Sequence, residues 1–192
     1  DAWAKDDVAI DARVQGIYTT NVNGLLIEEN VFDHNGWKEG VAGAEPTIYA
    51  HNMYIQYVNH DVEVRGNIVA RASAHGLQLR PGGILEQNVF TQNSLAAFLS
   101  DGDGDGTDNR AADNVFLDPS QKRHRDGLYR ASGLGMMNIA GAECIRNIAA
   151  NGDIGSQGSI TGLNGVYTED NVVYNWDGYS DPGPFPDPNR SL

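Results

Sequence analysis

The chain has 192 residues, 40% of them hydrophobic and 20% charged, with a formal net charge of −13 and one cysteine. That length makes one domain or part of one, and the negative charge argues against a nucleic-acid backbone or an anionic membrane as the main partner. One cysteine excludes an internal disulfide, and no apolar run is long enough to span a membrane. Acidic polysaccharides stay open as partners, because local arginines or a bound cation can reverse the field. Oligomeric state is not legible.

Residues 1–15 are polar and ambiguous, and 16–20 read as a strand. From residue 25 onward a tripeptide recurs: Asn, a β-branched residue, then another apolar one. Asn30, Asn67, Asn88, Asn114 and Asn171 carry it in full, and Asn147 is followed by Ile148 and Ala149. Successive gaps are 37, 21, 26, 33 and 24 residues. Periods of roughly 20–50 residues mark a repeat architecture. Five and three positions upstream stand Leu25 and Ile27, Val62 and Val64, Gly83 and Leu85, Ala142 and Cys144, and Val166 and Thr168; only Asn109 and Ala111, before Asn114, depart. Alternate residues of a strand face one way, so each unit reads as strand, Asn turn, strand. Asn tolerates left-handed backbone angles and bonds its neighbours' backbone. Stacked on successive coils, such residues form an amide ladder. The pattern predicts an all-β fold, a single-stranded right-handed parallel β-helix of about six to eight coils, over residues 1–180. Four prolines between 182 and 188 predict an extended tail at 181–192.

Residues 33–50 exceed what one coil needs and read as a loop leaving the rod. The coils from 51 to 100 are the most regular part. Residues 101–110 and 117–127 form an acidic and a basic excursion, with return to the strand pattern at 126–130. Residues 131–141 have no clear place, and 151–165 predict a further turn. Cys144 shares the inward register of Ile27 and Val64, so it reads as a buried thiol.

Aligned at an offset of 24, the strands at 52–56 and 76–80 turn Met53, Ile55, Leu77 and Leu79 inward, as 96–100 turns Ala97 and Leu99. Tyr54, Gln78 and Phe98 then form one outward row, with Tyr18 and Tyr129 extending it. Gln56, Arg80 and Ser100 form the next, Asp101 lying just beyond. Aromatics, amides and arginine in one patch suit a sugar chain, with Arg130 adjoining; an ordinary exposed face is the plain alternative. His51 and His75 begin adjacent strands, either as an acid–base pair or as turn residues bonded to backbone. Arg80 lies opposite Ser100 by the strand match and opposite Asp101 by the Asn spacing.

The run from Asp101 to Asp108 matches the first half of the D-x-D-x-D-G calcium loop. Asp101, Asp103, Asp105, Thr107 and Asp108 are the candidate Ca²⁺ ligands, since alternate carboxylates converge on one point. The twelfth position is Ala112 rather than the bidentate Glu of the helix-flanked module, with Asp113 one further. A solvated acidic turn is the alternative. The basic run Lys122 to Arg125 reads as a solvated loop or as a hold on an anionic substrate.

The N-V-F and N-I-V repeats, H-G-L-Q-L-R-P-G-G at 75–83 and N-V-V-Y-N-W at 171–176 resemble right-handed parallel β-helix proteins that act on polysaccharides. These include pectate-lyase-like and alginate-lyase-like proteins and related epimerases. The resemblance covers roughly 16–178. It implies a secreted carbohydrate-active protein, extracellular or periplasmic, cleaving a uronate-containing polysaccharide by Ca²⁺-assisted β-elimination. Lyases of this group use Ca²⁺ to neutralise a uronate carboxylate and Lys or Arg as base. The matching ingredients here are the Asp101 loop and Arg80, with His75 and His51 as alternative bases. The paired Arg-x-Pro-x-Arg segment of the pectate lyases is absent. A non-catalytic adhesin or tailspike-like module, and a glycoside hydrolase or epimerase of the same fold, are the competing readings.

Overall fold

The structure, a computed structural model, describes residues 14–101, 109–139, 141–156 and 158–178, with the backbone alone at 153–156 and 177–178. The chain is a right-handed parallel β-helix of about six coils, with three parallel sheets of six strands running along the rod. The first sheet holds Ile17–Thr19, Met53–Ile55, His75–Leu79, Leu95–Ser100, Ser132–Met137 and Ile160–Thr161. The second runs from Asn23–Glu28 through His60–Arg65, Ile84–Glu86, Arg110–Ala112 and Glu143–Ile145 to Tyr167–Glu169. The third runs from Val31–Asp33 through Ile68–Ala70, Val89–Thr91, Val115–Leu117 and Ile148–Ser156 to Val172–Gly178. The expected Pro-rich tail lies outside the described residues.

The six Asn residues stack in the turn between the second and third sheets. The Oδ1 of Asn67 accepts both the backbone N–H and the amide of Asn30, at 3.0 and 3.3 Å. Asn88, Asn114, Asn147 and Asn171 repeat this pair of bonds toward the coil before each of them. Each amide also donates to backbone, as Asn88 does to Val64 O and Glu86 O. From Asn67 to Asn171 the column is buried, so every satisfied polar group replaces one that would be costly unpaired. The left-handed angle falls one residue earlier than the Asn itself, at Glu29, Gly66, Gln87, Asp113, Arg146 and Asp170. The Asn is selected for its hydrogen bonds, and its neighbour makes the corner. A second left-handed column follows the three-residue strands at His34, Arg71, Gln92 and Asp118 and falls at Asn151 and Asn175 within the longer strands of the last two coils.

The inward columns make the core. Val64, Leu85, Ala111 and Cys144 stack in register in the second sheet, so the departure before Asn114 leaves the stack intact. Val69, Phe90 and Phe116 stack in the third, the two Phe rings 5.2 Å apart. Burial pushes the Cys144 thiol up to about 12, so it is an inert core group.

One expectation about the excursions is corrected. Residues 126–130 do not return to the rod: Tyr129–Arg130 pairs antiparallel with Lys122–Arg123 in a hairpin outside it. The return comes at Ser132–Met137, in the stretch that had no clear place. Gly133 obscured it in the sequence, yet a Cβ there would lie 2.0 Å from Ser159 O, so the strand needs that glycine. The 34–52 connection does leave the rod, then folds back, with Thr47 N–H donating to Ser73 Oγ at 2.7 Å.

Candidate functional site

The first sheet and the returning 34–52 connection enclose a cleft of about 700 Å³ lined by Gln15, Tyr18, Ile48, Tyr49, His51, Tyr54, Gln56, Gln78 and Arg80. Tyr18 pairs with Tyr54, Tyr54 with Gln78 and Gln78 with Phe98, which is the expected outward row. Beyond Phe98 the row continues to Gly135, not to Tyr129. Tyr129 and Arg130 sit on the hairpin, where Arg130 forks onto Asp126 at 3.0 and 2.6 Å, and neither lines the cleft. Leu79 pairs with Leu99 and Ser100 Oγ donates to Arg80 O at 3.2 Å, so Arg80 is registered with Ser100 and not with Asp101.

Strand alternation turns Arg80 outward, and Tyr54 sets its direction. Arg80 Nη1 donates to Tyr54 Oη at 2.7 Å. That leaves the Nε and Nη2 edge of the guanidinium. Arg146 uses this edge to grip Asp113, with both bonds at 2.7 Å, and Arg71 grips Asp33 the same way. In Arg80 that edge has no protein acceptor among the described residues. Among the described residues no carboxylate lines the cleft, and Arg80 is its one charged side chain, although the protein carries −13 overall.

A sugar ring does not fit between the two tyrosines of the row. Tyr18 and Tyr54 face each other at 5.6 Å and 10°. A sugar ring between them would need about 7–8 Å, two ordinary carbon contacts. His51 stacks on the other side of Tyr54 at 5.4 Å, which fixes that ring in turn.

Both histidines are held neutral. Burial, then the nearby charge of Arg80, takes His51 down to about 3. Burial first, and His51 second, takes His75 well below its ordinary value. His51 Nδ1 accepts the His75 backbone N–H at 3.3 Å, which assigns the His51 proton to Nε2. Gln78 Nε2 lies 3.2 Å from His75 Nδ1, and with the amide as donor His75 takes the same tautomer. Each imidazole lone pair is then engaged, and of the two histidines His51 lines the cleft. Backbone bonding, one of the two readings of these residues, describes His51.

Sequence reasoning missed Gln15, Ile48 and Tyr49. Gln15 bridges the wall, donating to Tyr49 O and accepting from His51 N–H, both at 2.8 Å. Nothing local marks Gln15. The 33–50 loop was recognisable as a loop, but not the way it folds back.

Asp101 closes the strand after Ser100 and is buried, with Asn109 Nδ2 3.5 Å from its Oδ2. A carboxylate at the mouth of the loop is a donor that Ca²⁺ accepts. The other candidate ligands, Asp103, Asp105, Thr107 and Asp108, lie outside the described residues. Among the described residues no three His, Cys, Asp or Glu side chains gather as a metal site.

No protein-family model, curated protein or solved structure matches the chain.

Proposed function

We propose that this is a secreted carbohydrate-active β-helix protein whose cleft holds an acidic, uronate-containing polysaccharide. One observation carries the reading. Arg80 lines the cleft with the guanidinium edge that grips carboxylates elsewhere in the molecule left without a protein acceptor, and no carboxylate lines the cleft, both among the described residues. A planar fork matches the two oxygens of a uronate carboxylate. Tyr hydroxyls, Gln amides and the His51 imidazole around it match sugar hydroxyls. The Asp101 loop would hold Ca²⁺, which when bound supplies further positive charge for a polyanionic ligand.

β-Elimination is the reaction this chemistry favours. Pairing the uronate carboxylate with a cation makes the adjacent C–H proton easier to remove. Hydrolysis by paired carboxylates, which stand about 5–9.5 Å apart, draws no support from the described residues of the cleft, none of which is a carboxylate. A second reading, binding without turnover, is favoured by the engaged lone pairs of His51 and His75. Incubation with a panel of uronate polysaccharides, with and without Ca²⁺, tests both. Ultraviolet absorbance from an unsaturated uronate supports the lyase. Saturable binding without absorbance supports the binding module. Neither signal on any polymer rejects the proposal.

A further inference from the structure

One wall of the cleft is not supplied by any strand. Ile48 and Tyr49 belong to the 34–52 connection, so their position depends on what grips that segment. The rod side holds the segment at several points, among them Ala74 N–H donating to Ala50 O at 2.9 Å, Ser73 N–H donating to Asn35 O at 3.1 Å and Trp37 Nε1 donating to Arg71 O at 2.8 Å. Gln15 spans Tyr49 O and His51 N–H, and Ser73 Oγ both accepts from Thr47 N–H at 2.7 Å and donates to Thr47 O at 2.9 Å.

A further grip comes from the hairpin, where Lys122 Nζ lies 5.4 Å from the centre of the Trp37 ring and Arg125 makes the contacts nearest the wall. Arg125 N–H donates to Pro46 O at 2.9 Å. Its guanidinium donates to Gly43 O, from 82 residues away in sequence, and its Nε lies 3.8 Å from Glu45 Oε2. The Pro46 bond is a backbone one that other residues at 125 would keep. The side chain adds the Gly43 carbonyl and the Glu45 carboxylate, which the fixed fork of a guanidinium can meet together through separate N–H groups.

The hairpin is itself anchored to the coils. His124, buried, lies with Nε2 2.8 Å from Ser94 Oγ, and Ser94 Oγ donates to Arg130 O at 2.9 Å. Lys122 Nζ donates to Gln92 O at 2.8 Å. Asp126 accepts Leu128 N–H at 3.0 Å and the Arg130 fork, which fixes the hairpin turn. A continuous set of contacts thus runs from Ser94 on the rod, through the hairpin to Arg125, and on to the segment that carries Ile48 and Tyr49.

We infer that Arg125 is a positioning residue: it sets the Ile48–Tyr49 wall and through it the affinity of the cleft, without touching the ligand. The inference rests on the reading of the cleft as a uronate site. A wall held before the ligand arrives spares the ligand the cost of ordering it.

The test compares the full chain with Arg125→Ala, Arg125→Lys and Glu45→Gln. Three quantities are read: amide exchange along the chain, melting temperature, and calorimetric affinity for an oligogalacturonate. Arg125→Ala should speed exchange at Ala44, Thr47, Tyr49 and Ala50 while leaving Met53–Ile55 and Leu95–Ser100 protected. Affinity should weaken by about ten-fold, with Arg125→Lys recovering part of it. Glu45→Gln, which leaves the hairpin intact, should shift the same two readouts in the same direction by less. Unchanged affinity in Arg125→Ala would overturn the inference alone, as would faster exchange throughout the rod. No binding by the unsubstituted chain would overturn the reading of the cleft, and the inference with it.

Discussion

Arg80 donates Nη1 to Tyr54 Oη at 2.7 Å, and this bond decides which edge of the guanidinium is left for a ligand. Tyr54 can hold it because Tyr18 and His51 stack on its two sides. A coil-by-coil repeat thus becomes a fixed donor edge: three stacked rings on neighbouring coils orient one cation.

Removing that edge should cost affinity and little else. Arg80→Ala should weaken binding of an oligouronate by roughly 10–100-fold, the loss expected for charge-assisted hydrogen bonds. The melting temperature should barely move, because Arg80 and its bond to Tyr54 are exposed. Arg80→Lys should recover little, since the two-pronged contact is gone. Calorimetry with parallel thermal melts would check this; undiminished affinity in Arg80→Ala would move the site elsewhere.

Acid should destabilise the fold. His51 is held down to about 3 and His124 to about 4, in each case chiefly by burial. The unfolded chain takes up these protons near pH 6.5, whereas the folded chain does not until the pH reaches the lower values. The stabilisation is therefore complete above about pH 6.5 and declines as the pH falls toward 4 and then 3, by several kcal/mol in total. Urea unfolding at pH 7.5 and at about pH 4.5 should give clearly different midpoints, and His124→Gln should narrow the difference. Identical midpoints would mean that these imidazoles are not kept neutral by the fold.

The Asn column should be the least replaceable polar feature. Asn88 accepts two donors from Asn67 and donates to Val64 O and Glu86 O, all within the buried turn. Asn88→Ala should cost roughly 3–5 kcal/mol, since several buried groups lose their partners together. Asn88→Asp should not rescue it, because a carboxylate cannot donate to Val64 O. Equilibrium unfolding of the two variants is the check, and a loss below about 1 kcal/mol would count against the ladder as a source of stability.

Much of this was legible in the sequence, for a physical reason. Asn30 to Asn171 repeat because each bonds the next, so one interaction wrote the same residue six times. The inward alternation of Met53, Ile55, Leu77 and Leu79 is equally periodic, which is why the Tyr54–Gln78–Phe98 row could be read and Arg80 narrowed to Ser100 or Asp101, between which the structure chooses Ser100. The rest depends on non-repeating contacts. The Asn turn looked left-handed at Asn, but Glu29, Gln87 and Arg146 bear that angle and carry no residue-type signal for it. Tyr129 and Arg130 alternate like a strand, and nothing local says that they pair with Lys122–Arg123 outside the rod. Gln15 and Tyr49 reach the cleft only because a long connection folds back.

Calcium should bind at the Asp101 loop. Titration calorimetry should give saturable heat that Asp103→Ala removes, accompanied by a rise in melting temperature on adding Ca²⁺. No heat and no change in melting would leave the run of carboxylates as a solvated turn.

The claim that the cleft recognises a carboxylate through Arg80 is tested most directly by a matched ligand pair. An oligogalacturonate and the same oligomer with its carboxyl groups reduced to alcohols would be titrated into the protein by calorimetry at low salt. The account predicts saturable binding of the acid, much weaker binding of the reduced oligomer, and loss of that difference in Arg80→Ala. Equal binding of the two oligomers, or a preference for the acid that survives in Arg80→Ala, would contradict it.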